Sequence, residues 1–85
     1  MRMNNPARGE LIVEIPEEMA PIVHGVPKAT TGQFLLLDQQ GRPIISEPFS
    51  GYTHRVDVSQ VHLGLYFVRM RIGNTILTEK VVIIR

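Results

Sequence analysis

Hydrophobic and polar positions alternate along much of the chain with a period of two, the repeat of a strand with one covered face. Residues 10–15 place Leu11, Val13 and Ile15 on one face, and Pro16 ends the pattern. Residues 54–58 turn Val56 and Val58 one way and Arg55 and Asp57 the other. The clearest alternation spans residues 65–72, where Tyr66, Val68, Met70 and Ile72 share a face. Residues 32–38 predict a strongly apolar strand. It ends in a hairpin turn over 38–41, because Gly41 tolerates positive φ without a Cβ clash. Residues 43–47 would return, with Pro43 at the start of that strand or on a sheet edge, since it cannot donate to a ladder. Residues 48–52 read as a loop, 59–64 as a short crossing, 73–75 as a turn and 76–84 as a last strand. Helical periodicity is nearly absent: only residues 17–20 have room for one turn, between Pro16 and Pro21. Residues 16–31 form the long irregular stretch, with room for a short strand at 21–24.

Six or seven short strands separated by turns predict an all-β domain, an antiparallel immunoglobulin-like β-sandwich. Residues 1–9 are polar and read as the end of a linker, leaving 10–85 as the domain. The register of the final hairpin stays open. A three-residue loop pairs Ile72 with Ile76 and Arg69 with Glu79, which favours it. A two-residue Gly73-Asn74 loop shifts every pair and swaps the faces of the last strand. A sandwich shows one face of each sheet to water, so its strands should alternate. Residues 34–37, 65–68 and 81–84 are instead apolar on both faces. Either the chain covers the surplus itself or a second protein surface does: an upstream domain, a twin copy or a receptor.

With 85 residues and no cysteine, the chain has room for one small core and no disulfide or thiolate staple. A formal net charge of +1 gives no argument for nucleic acid or another polyanion. The longest apolar runs are four residues, far short of a membrane span, and the first ten residues lack the apolar stretch of a secretory signal peptide. An exported domain of this kind would take its entry signal from a larger parent chain. His24, His54 and His62 are too dispersed for a metal-ligand spacing. Asp57, Ser59 and His62 supply the residue types of a hydrolytic triad but no nucleophile elbow. Neither an enzyme activity, a cofactor nor a metal site is expected. Arg69 and Arg71 lie on one strand face, a solvated-face pattern diluted by Glu79 and Asp57. Gly64 just before a strand with Tyr66 two residues on suits a tyrosine corner, in which the phenol bonds back to upstream backbone.

Four motifs in order carry a resemblance. Asn4-Asn5-Pro6 precedes the strand Leu11-Ile12-Val13. Leu35-Leu36-Leu37-Asp38 leads into a turn with Gly41. Gly64-Leu65-Tyr66 follows Val56-Asp57-Val58-Ser59. Lys80 is followed by Val81, Val82, Ile83, Ile84 and Arg85. The chain resembles the C-terminal sorting domains of type IX secretion cargo proteins, with Asn4 where that family commonly has proline and a longer stretch over 16–31. The resemblance implies a targeting signal that directs an upstream cargo domain through the periplasm and across the outer membrane. It also implies partnership with the translocation machinery. A surface sortase usually removes such domains and can couple the cargo to anionic lipopolysaccharide; some members keep theirs. The residues expected to hold or form the signal surface are Gly64, Tyr66, Val68, Lys80, Val81, Val82, Ile83, Ile84 and Arg85. The other reading is an immunoglobulin-like adhesion or accessory module that binds a glycan or protein outside the cell.

Overall fold

The computed structural model describes residues 1–16, 22–23, 26–27 and 31–85. The expected helical turn at 17–20 and His24 lie outside the described residues. Among those described, every regular element is a strand: β1 (Arg2–Met3), β2 (Ala7–Arg8), β3 (Glu10–Glu14), β4 (Ile22–Val23), β5 (Val26–Pro27), β6 (Thr31–Leu37), β7 (Pro43–Ser50), β8 (Thr53–Asp57), β9 (Gly64–Ile72) and β10 (Thr75–Ile84). β4 and β5 pair as a small separate hairpin. The remaining strands form one continuous sheet that folds over its own core as a sandwich.

The first layer runs β7-β6-β9-β10, antiparallel throughout. At its end β10 meets β2 in parallel, with Ile83 against Ala7 and Ile84 against Arg8. β2 turns back through Gly9 into β3, and β3 pairs with β8 to make the second layer. The parallel junction departs from a purely antiparallel expectation, and it is made by residues read as a linker end. Residues 1–9 are built into the sheet: β1 pairs with the far end of β3, and Ala7 is fully buried.

The core follows the alternation. Leu11, Val13, Val56 and Val58 from the second layer pack against Phe34, Leu36, Val68, Met70, Val81 and Ile83 from the first. Gly32 sits where its neighbours leave no room for a side chain. A Cβ there would overlap the carbonyl oxygen of Arg71 and stand 2.8 Å from the Phe49 ring. β7 is longer than expected and runs through Pro48 to Ser50 instead of ending at 47. As the outermost strand of its layer it leaves the nitrogen of Pro48 without a ladder to join, the setting in which strand proline is tolerated. The Asp38 turn is self-capped. Its Oδ1 accepts from the N–H groups of Gln40 and Arg42, and Oδ2 accepts from Arg42 Nε.

The final hairpin takes the two-residue loop, with Ile72 opposite Thr75 and Gly73 at φ 59°. The favoured three-residue register is therefore corrected: Arg69 faces Thr78, not Glu79, and Ile72 does not face Ile76. This register turns Val81 and Ile83 inward, beside Tyr66 and Gly64, and Val82 outward.

Candidate recognition surface

The residues expected at the signal divide by strand parity. Tyr66, Val68, Val81 and Ile83 face the core and are buried. They hold β9 and β10 in place and are not available to a partner. Tyr66 makes the expected corner, its hydroxyl donating to the carbonyl of His62 at 2.8 Å. That bond pins the crossing between β8 and β9 to the strand that follows. Gly64, at φ 147°, lets the chain enter β9 in a conformation side chains rarely adopt. At the start of the same crossing Asp57 accepts from the hydroxyl and the N–H of Ser59, which hold its carboxyl below the ordinary range. Asp57 and Ser59 thus close a turn, and no recorded hydrogen bond among the described residues joins the His62 ring to them. His54 is occupied too: it pairs with Glu47 at 2.7 Å and lies against the rings of Phe34 and Phe49. No group of three metal-ligating side chains occurs among the described residues.

Lys80, Val82, Ile84 and Arg85 remain on the outside. The first three belong to a row shared with the outward positions of β9 and β6. Leu65 faces Val82, Phe67 lies between Leu37 and Lys80, and Arg69 lies between Leu35 and Thr78. The surplus apolar side chains of these strands therefore meet on one outer face. Leu37 is buried there by its neighbours, Leu35, Leu65, Phe67 and Ile84 are half-buried, and Val82 is 41% exposed. The described chain does not cover this strip. Its charges have one sign: Arg69, Arg71 and Lys80 lie on it, the outward positions of its strands hold no carboxylate, and none of the three enters an ion pair among the described residues. The outer face of the second layer differs. Its charges are mixed, and Arg55 and Arg2 reach Glu10 and Glu14 at 3.1 and 3.9 Å.

Two further residues matter to this surface, and strand alternation gave no sign of them. Between β1 and β2 the chain stops pairing by backbone, and consecutive asparagine amides take over. Asn4 Oδ1 accepts from the N–H of Ile12, and its Nδ2 donates to the carbonyl of Glu10. Asn5 does the same for the other layer: Oδ1 accepts from the N–H of Val82 at 3.0 Å, and Nδ2 donates to the carbonyl of Lys80 at 3.2 Å. A primary amide offers the same donor and acceptor pair as a peptide unit, so each asparagine acts as one residue of an added strand. The signal was present in the Asn4-Asn5-Pro6 motif, which composition alone reads as linker.

The first motif and the last are thus joined in space: Asn5 clips the strand that carries Lys80 and Val82. A sequence model of the secretion system C-terminal sorting domain matches residues 5–84, a span that begins at this asparagine and takes in the whole of β10, leaving out only Arg85 at that end. No curated protein and no solved structure matches the chain. With a match over nearly its full length, the chain belongs to the family of type IX secretion C-terminal sorting domains.

Proposed function

We propose that this sorting signal carries an attached cargo through the periplasm and across the outer membrane, and that the machinery reads it on the outward face of β9 and β10. One observation supports that reading above the rest: a strip of Leu65, Phe67, Val82 and Ile84 that the described residues leave uncovered, edged by Arg69, Arg71 and Lys80, which enter no ion pair among the described residues. A solvated sheet face has no use for such a strip. In this reading Tyr66, Val68, Val81 and Ile83 act from beneath, by fixing the strands that display it. The domain contributes no catalysis of its own, and a surface sortase removes it once the cargo has crossed.

The test is a reporter fused ahead of the domain in a bacterium that runs this system. Deleting residues 81–85 should abolish surface delivery, and normal delivery would dispose of the proposal. Because the deletion also removes core residues, a Phe67→Ser, Val82→Ser variant accompanies it. Both changes lie on the outer row, so delivery should fall while the fold persists. Appearance of the free domain in the medium would report its removal.

A further inference from the structure

The reading surface has an edge as well as a face. A two-residue hairpin loop closes on a hydrogen-bonded pair, here Ile72 and Thr75, so the odd residues of β10 exchange backbone bonds with β9. The even residues direct their N–H and C=O groups the other way, as the Asn5 clip on Lys80 and Val82 shows directly. Beyond the clip, β2 occupies the edge at Ile83 and Ile84. Between Ile76 and the N–H of Lys80 the edge has no strand partner among the described residues.

We propose, building on the sorting reading above, that the machinery contributes an extended acidic segment that adds as a strand along Ile76, Thr78 and Lys80. Main-chain bonds would supply affinity and the flanking side chains specificity. On the outer side an added strand meets Lys80 and Thr78, with Arg69 and Arg71 one strand further in, about 10 Å away and within reach of long side chains. Carboxylates belong there. On the inner side it meets half-buried Leu77 and exposed Glu79, which calls for an apolar residue and a cation. A second copy of this chain fits less well. Antiparallel self-pairing about Thr78 sets Glu79 against Leu77 and Lys80 against Ile76, leaving all four charges unpaired. An inward-pointing charge and an edge lysine are devices that keep sheet edges from pairing with themselves.

Thr78→Pro tests the edge. It deletes one outward N–H and leaves every β9 bond intact. Surface display of the fused reporter should fall about tenfold, the effect of losing one or two backbone bonds of an added strand. Ser46→Pro, on the opposite edge strand β7, should display as wild type. If Thr78→Pro displays normally while the 81–85 deletion abolishes display, the edge proposal is overturned and the sorting reading stands. If both display normally, the sorting reading itself fails. Lys80→Glu leaves all backbone bonds in place and serves if Thr78→Pro does not fold; its display should fall similarly, and unchanged display would overturn the acidic partner. Sedimentation completes the set: a wild-type dimer dissolved by Thr78→Pro would make a second copy the occupant and overturn the proposal, and a monomer at all concentrations supports it.

Discussion

Replacing Asn5 with alanine should loosen the closing strand from a residue 75 positions away from the first group it bonds. The change removes two hydrogen bonds, to the carbonyl of Lys80 and from the N–H of Val82. A protein hydrogen bond contributes about 0.5–1.5 kcal/mol net of the water it displaces. Here Val82 is 41% exposed, so its freed N–H regains water, which places the joint loss near the lower half of that range, about 1–2 kcal/mol. For a domain of this size each kcal/mol shifts Tm by about 4–8 °C, so the midpoint should fall by about 4–16 °C. Urea unfolding should show a lower midpoint with an unchanged slope. The discriminating readout is amide exchange. Val82 should lose protection before Val81, which bonds to β9, and Asn5→Asp should retain protection at Val82 because it keeps the acceptor. Unchanged exchange at Val82 together with an unchanged midpoint in Asn5→Ala would refute the clip.

Gly32→Ala should be among the most damaging single changes, because the new Cβ overlaps backbone, the carbonyl oxygen of Arg71. At least about 1–3 kcal/mol is expected by the cost of overpacking, measurable by urea unfolding. Tyr66→Phe keeps the buried ring and loses the bond to His62; about 1 kcal/mol should disappear, and exchange should quicken across residues 59–64. Asp38 has its carboxyl held below the ordinary value of 3.8, first by the backbone N–H of Arg42, which with that residue's side chain and the N–H of Gln40 outweighs the opposing cost of desolvation. A depressed carboxyl stabilises the fold above its unfolded value and loses that contribution as pH falls through its native one. Asp38→Asn should therefore be less stable than wild type at neutral pH, and the gap should close on acidification below 3.8; a pH-independent gap would refute the assignment.

Much of the sheet was legible because burial imposes period two where a strand has one covered face. Leu11 and Val13, Val56 and Val58, and Tyr66, Val68 and Met70 all face the core as their spacing predicts. The same rule lost its force where both parities are apolar. In the run Val81, Val82, Ile83, Ile84 a one-residue slip exchanges one apolar pair for another, so hydrophobicity could not choose between a two- and a three-residue loop. The junction around Asn4 and Asn5 escaped for a different reason. Its bonds come from side-chain amides, which carry no periodicity, and its partners are distant in sequence. β7 was cut short at 47 because Pro48 reads as a breaker until the strand is known to lie on an edge.

The division by parity decides how any loss of export should be interpreted. Tyr66, Val68, Val81 and Ile83 belong to the family motifs, yet the core hides them from a partner. Changes there would disturb export by lowering the population of folded domain, and chain turnover amplifies a loss of one or two kcal/mol into a several-fold change in abundance. Lys80, Val82 and Phe67 lie across the same two strands with their side chains outward. Changes there leave the core untouched, so export should fall at constant stability. Plotting export against Tm for the two rows separates support from contact. Inward variants should follow one curve, and Asn5→Ala should follow it too if its amide only anchors β10. Outward variants should drop below it. An outward row that followed the curve would mean that the machinery responds to foldedness alone and reads no residue of this face.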